Sequence, residues 1–201
     1  MASVRTHFDP TLMDPDRVYQ LLTSSVIPRP IAWVSTQSAE GVDNLAPYSF
    51  FTIASVHPPI VQFTSVGRKD SLANIEATGE FVVNLTSELL IDQVNGSSAA
   101  YDAGVSEFEA LKVVSAPSVK VRPLRVKAAP VSFECVREQV ISIGNSHLIL
   151  GRVVFVTANS STLDDDGLPA TQAIAPLSRF GRTEWGLTPE TRQVARPITP
   201  E

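Results

Sequence analysis

Cysteine is almost absent: Cys135 is the only one in 201 residues. No internal disulfide and no cysteine-based metal cluster can therefore be built. Histidine is scarce too, with only His7, His57 and His147, so no metal site is expected. Charged residues make up 18% of the chain, below the usual share of roughly 25%, which points to surface hidden in an oligomer. A net charge of −5 and a pI near 5.2 exclude a broad basic surface for nucleic acid and leave room for a local anion site. The apolar share of 43% excludes disorder over most of the chain. The N-terminal MASVRTHFDP has no apolar run after its arginine, so it does not read as a signal peptide. A single cysteine is compatible with a reducing compartment, and a cytoplasmic location is the expectation. The longest stretch without Asp, Glu, Lys or Arg, residues 44–67, is long enough to cross a bilayer, but it contains Pro47, Pro58 and Pro59 with many Ser and Thr. It reads as strands and a turn, and no membrane association is expected.

Several common chemistries are missing as well. There is no G-x-G-x-x-G, no G-x-x-x-x-G-K-S/T, no H-E-x-x-H and no G-x-S-x-G. The carboxylates Asp164, Asp165 and Asp166 read as a solvated turn.

What is present is mostly strand pattern. Residues 13–23 form an amphipathic helix, with Asp14 as cap and Pro15 at the first helical position. Strands are expected at 31–36, 44–54 (bent at Pro47), 60–65 and 80–85, with the longest at 130–143 and 147–158 around a Gly144-Asn145 hairpin turn. Helices are expected at 71–77, ended by Gly79, and at 87–95 with Leu89, Leu90 and Val94 as the apolar set. Residues 96–107 read as a loop. The pattern gives a mainly β domain over 1–186, a barrel or sandwich with peripheral helices. Residues 187–201 contain three prolines and read as a tail, disordered or packed on a partner.

Five segments carry candidate chemistry. In 67–75, Arg68, Lys69 and Ser71 stand at the start of a helix, where free N–H groups and the dipole favour an anion such as phosphate. Asp70 is expected to cap that helix, and the same residues would also make an ordinary capped helix. In Asn44-Leu45-Ala46-Pro47-Tyr48-Ser49, a ladder interrupted at Pro47 frees backbone groups to meet a planar polar ring, with Ser49 adding a hydroxyl; an ordinary bulged strand gives the same pattern. In 28–36, Arg29 between prolines reaches toward an anionic ligand or a partner subunit, Trp33 reads as core, and Thr36 ends the strand where it would help to hold a phosphate or sugar. His147 shares a strand face with Ile149, Gly151 and Val153, as a half-buried side chain or a catalyst. Arg179 and Trp185 flank Gly181 in a segment that either closes over a site or forms a salt-bridged C-terminal element.

In this order, PRPIAWVST, NLAPYSFF, HPPIVQFTSVGRKDSLANI, TGEFVVNL, HLILGRV and LSRFGRTEW resemble the flavin reductase-like family. The resemblance covers roughly residues 15 to 186. It implies an FMN-binding split β-barrel of six antiparallel strands, normally a homodimer, with FMN in a groove near the subunit interface. It implies that the strand 44–50 borders the flavin, that Thr64 and Ser65 end the strand beside it, and that Arg68, Lys69, Ser71 and Thr36 hold the phosphate. His147, Arg179 and Trp185 match positions that approach the flavin. The implied reaction is hydride transfer from NAD(P)H to FMN and on to an acceptor or partner monooxygenase, a chemistry the cofactor carries. Alternatives are a non-enzymatic FMN carrier or store, a barrel that has lost flavin and serves as an interaction module, and a pyridoxamine phosphate oxidase-like enzyme.

Overall fold

A computed structural model describes residues 4–102 and 104–197. Residues 1–3, 103 and 198–201 lie outside, and with them the end of the expected tail.

The chain opens with helix α1 (Pro15–Ser25), capped by the Asp14 carboxylate, which accepts from the Asp16 N–H at 2.9 Å. Pro28 and Pro30 then stop any helix. A short strand β1 (Arg29–Pro30) follows, then β2 (Ala32–Gln37), β3 (Asp43–Tyr48), β4 (Phe51–Ser55) and β5 (Ile60–Val66). Helix α2 (Asp70–Thr78) ends at Gly79, whose φ of +75° suits glycine. Strand β6 (Glu80–Leu85), a 3₁₀ turn with α3 (Ile91–Gly96), and α4 (Glu107–Ala110) come next. The short strands β7 (Ser115–Ala116) and β8 (Arg125–Val126) precede the long hairpin of β9 (Val131–Ile143) and β10 (Ser146–Ala158). Helix α5 (Thr171–Ile174) and the two-residue strands β11 (Ser178–Arg179) and β12 (Trp185–Gly186) finish the domain.

The main sheet has the order β3-β2-β6-β9-β10-β5-β4, antiparallel throughout. Its two edge strands are consecutive in the chain. The expected single strand at 44–54 is thus two strands, and they lie on opposite edges of the sheet. The bend is at Ser49-Phe50, not at Pro47, which pairs in register with Trp33. Counted as one bent strand, β3 and β4 give six strands and close the sheet into a split barrel. The Thr64 N–H donates to the Phe50 carbonyl at 2.9 Å and secures the bend.

Two cores flank β2, because alternate residues point to opposite faces. Ala32 and Val34 join Phe63, Phe81, Ile149 and the α2 residues Leu72 and Ile75 inside the barrel. Ile31 and Trp33 join Leu45, Leu90, Val94, Phe108 and Leu177 in an outer core. Gly151 leaves the room that the Phe81 ring occupies, where a Cβ would collide with it. In the segment at 87–95 the buried pair is Leu90 and Val94, while Leu89 is 93% exposed and does not belong to the apolar face.

Arg29 is a second correction. Its guanidinium is buried, donating to the carbonyls of Thr23 and Val26 at the end of α1 and to the Phe180 carbonyl. It ties α1 to the β11 segment and is not free to meet an anion. The beginning of the tail also packs on its own chain, with the Thr188 N–H donating to Glu88 and Gln172 donating to the Pro189 carbonyl. Among the described residues no helix is long and apolar enough to cross a membrane.

Candidate functional site

The site begins with the edge of β3 that β2 does not use. The Leu45 N–H donates at 2.8 Å to the Glu107 carboxylate, so it points away from β2. Backbone direction alternates along a strand paired on one side, and the carbonyls of Leu45 and Pro47 therefore face outward as well. Pro47 occupies an outward position, where its missing N–H removes no ladder bond. The freed backbone expected here thus arises from an open edge, without a bulge.

The second wall is the start of α2. Lys69 is the N-cap and makes no side-chain cap bond, while Asp70 is the first helical residue and not the expected cap. Lysine carries no acceptor, so the first-turn N–H groups lack a side-chain oxygen and are disposed toward an anion. Arg68 is turned away, pairing with Glu76 at 2.6 Å on the surface. Lys69 remains at the cavity, together with Asp70 and Ser71.

A buried polar network joins the walls. Asn74 Nδ2 donates to Thr36 Oγ1 at 3.0 Å, and the Thr36 and Ser71 hydroxyls donate to Asn44 Oδ1 at 3.2 and 2.8 Å. Asn44 Nδ2 in turn donates to both Glu107 oxygens at 3.0 and 3.1 Å. Burial pushes the Glu107 carboxyl above the usual carboxylate range, against the bonds from Leu45 and Asn44, and the nearby Asp70 adds to the rise. Burial likewise raises the Tyr48 phenol. Its Oη lies near the Ser71 and Ser65 hydroxyls but within hydrogen-bond geometry of neither, and is a buried polar atom without a partner.

Two adjoining cavities follow the β3 edge. The first, about 270 Å³, is lined by Asn44, Ala46, Pro47, Tyr48, Lys69, Asp70, Ser71 and Glu107, with the 97–101 segment opposite. The second, about 150 Å³, shares Pro47 and Ser98 with it and continues past Ser49 to Arg179 and Trp185. Together they fall in the range of ligand pockets, roughly 300–1,000 Å³. The three-stranded sheet β1-β11-β12 places Arg179 here, with its guanidinium 4.7 Å above the Trp185 ring.

The structure thus brings together Asn44, Ala46, Pro47, Tyr48, Ser49, Lys69, Ser71, Arg179 and Trp185 around one groove. Leu45 contributes only backbone, since its side chain is in the outer core. Thr36 is buried with its hydroxyl engaged by Asn44 and Asn74, so it supports the wall without facing the groove. Ser65 Oγ donates to the Gly67 carbonyl at 2.9 Å, and Thr64 is half-buried on β5. His147 is the register partner of Ser65 on the neighbouring strand β5 and meets Ser142 at 3.0 Å on its own hairpin, lining neither cavity. The residues that sequence reasoning missed are Glu107 and Ser97 to Tyr101. They belong to a small, polar stretch with no periodicity, and Glu107 carries no local signal of burial.

The flavin reductase like domain family matches residues 23–177. Nitrilotriacetate monooxygenase component B of Bacillus cereus superposes with a TM-score of 0.92 at 30% identity, covering 96% of this chain and 100% of that one. The 2-nitrobenzoate 2-nitroreductase NbaA of Pseudomonas fluorescens gives 0.89 at 27% identity, covering 96% and 97%. A split-barrel-domain protein of Shewanella frigidimarina gives 0.87 at 19% identity, covering 96% and 100%, and shares the fold.

Proposed function

The chain belongs to the flavin reductase like domain family, and on that premise we propose that it is an FMN-dependent oxidoreductase. It takes a hydride from NAD(P)H and passes the electrons to an acceptor or a partner monooxygenase. The observation that carries this reading is the uncapped first turn of α2, with Lys69 beside it, at one end of a groove walled by the open edge of β3.

The residues fit FMN. The N–H groups of Asp70, Ser71 and Leu72 with the Lys69 ammonium would hold the phosphate. The outward carbonyls of Leu45 and Pro47 offer polar contacts along the middle of the groove. Ser49, Arg179 and Trp185 line the far end, where an aromatic face and a cation suit the ring system. Arg68 would join the phosphate only by leaving Glu76. When bound, the flavin supplies the hydride-accepting chemistry. The protein orients it, supplies charge and shields one face. No side-chain nucleophile is required. Likeness to a monooxygenase component B supports the hand-over to an oxygenase.

Homodimerisation belongs to the same proposal. Leu22, Val26 and Ile53 are more than half exposed, on the side where a largely apolar cavity is lined by Leu22, Val26, Phe50 and Phe51. Light scattering at micromolar concentration is expected to give a dimer.

The test is the visible absorption of the purified protein before and after FMN addition and desalting, followed by NADH and NADPH without oxygen. Retained flavin bands that bleach on addition are expected. Retained bands that do not bleach identify a carrier reduced by another protein. No retained flavin and no steady-state flavin reduction would overturn the reading.

A further inference from the structure

Glu107 and Glu134 are both buried carboxylates, at 5% and 0% exposure. Each is held by neutral donors: Glu107 by Leu45 N–H and Asn44, Glu134 by the N–H groups of Val119 and Lys120 at 2.8 and 2.6 Å. Neither is among the ion pairs of the described residues, which are Arg68–Glu76, Arg122–Glu80 and Arg152–Glu138. Burying a charge without a counter-charge is costly, and a neutral isostere avoids most of that cost. The two differ in what they face. Glu134 lines neither cavity of the groove, whereas Glu107 lines the first.

We propose that Glu107 is the positioning residue of the groove: a buried carboxylate that clamps the free edge of β3 through Leu45 and Asn44 and, when ionised, sets the charge against which a bound flavin is reduced. This rests on the flavin reading above. The clamp acts at the one outward N–H of the β3 edge that is already committed, so the neighbouring carbonyls of Leu45 and Pro47 are held in a single direction. Through Asn44 it also fixes Ser71, and with it the first turn of α2. The other charged and titratable groups around it are Lys69 and Asp70 at the start of α2, Asp43 and Tyr48 on β3, Tyr101 in the facing segment, and Glu109 on α4. None of them gives the carboxylate an ion pair. A flavin that accepts a hydride gains negative charge, and a carboxylate in the wall opposes that gain.

The experiment compares Glu107→Gln, Glu107→Asp and Glu134→Gln with wild type. The readouts are riboflavin affinity from fluorescence quenching, the midpoint potential of bound FMN, and the Leu45 amide resonance in the flavin-free protein. Glu107→Gln removes the charge and is expected to move the potential to more positive values and weaken riboflavin severalfold. Glu107→Asp keeps the charge but shortens the reach, so affinity falls while the potential stays. Glu134→Gln moves neither. Folded Glu107→Gln with wild-type affinity and potential would overturn the proposal, as would Glu134→Gln shifting the potential equally. If wild type binds no flavin, the flavin reading fails by itself. The clamp is then judged in the flavin-free protein, where the Leu45 amide titrates with Glu107 in wild type and is flat in Glu107→Gln. A Leu45 amide that is flat in wild type overturns the clamp.

Discussion

The barrel interior and the outer core are built from the same strand, β2, and are held together differently. Inside, Ala32 and Val34 meet Phe63, Phe81, Leu72 and Ile149, with rings packed at centroid distances of 4.7 Å (Tyr48–Phe63) and 5.7 Å (Phe63–Phe81). That core is apolar and closed by hydrogen-bonded strands. Outside, the Trp33 indole N–H donates to Ser97 Oγ at 2.8 Å, and Asn84 bonds the Trp33 carbonyl, Ser35, the Val126 N–H and Ser132. The outer core covers the sheet with irregular chain, whose backbone groups need buried polar partners. The groove lies where the two regimes meet, along the edge of β3 that β2 leaves free. The outward backbone groups of that edge line it, and the other edge of the sheet, β4, lies away from it.

The widest separation between the regimes is expected on truncation. Phe63→Ala removes a fully buried ring from the inner core and should cost about 3–5 kcal/mol in urea unfolding. Asn84→Ala deletes no large side chain yet leaves the Val126 N–H without its acceptor. It should cost about 2–3 kcal/mol, and a loss under 0.5 would show that the outer core does not depend on its polar links, an estimate set by the cost of buried unmade hydrogen bonds, roughly 1–3 kcal/mol each. At the groove, Lys69→Ala should weaken FMN about tenfold or more and riboflavin hardly at all, as a charge-assisted phosphate contact requires. Equal losses would remove Lys69 from the phosphate. Trp33→Phe keeps most of the buried ring and loses only the bond to Ser97, for about 1 kcal/mol.

The smallest effect is in pH. Burial holds the Glu107 carboxyl above its ordinary value, so the native state binds the extra proton in the window between the two. Its contribution to stability is therefore present below the ordinary value and declines as pH rises through the raised one. Glu107→Gln should flatten the part of the stability curve that declines as pH rises above the ordinary carboxyl value, roughly 4.3. An unchanged slope would mean that Glu107 does not titrate there.

Much of the fold was legible in local chemistry. The Asp14-Pro15 helix start, the Gly79 stop, the Gly144-Asn145 hairpin and the strand at 80–85 each follow from residues a few positions apart. The division of 44–54 was not legible, because Pro47 looks like a breaker until its partner strand is known. Arg29 misled for a similar reason: a proline-flanked arginine looks available, and only the end of α1 and Phe180, distant in sequence, reveal its carbonyl partners. Of the groove, Lys69, Ser71 and the 44–49 strand could be picked out from residue types. Thr36 could not be told from a ligand contact, since its hydroxyl is absorbed by Asn44 and Asn74.

By itself the sequence determined the mainly β class, the Asp14-Pro15 start of α1, the Gly79 stop of α2, the absence of an internal disulfide, and a cationic helix start after Gly67. These depend on φ preferences, alternation and composition, which act within a few residues. Only the tertiary structure decided that β3 and β4 stand on opposite edges, that Pro47 lies on an open one, and that Glu107 reaches across 62 residues to hold Leu45. Those outcomes depend on which backbone groups are left over once the barrel has closed. That remainder is a property of the whole ladder and is written in no single segment.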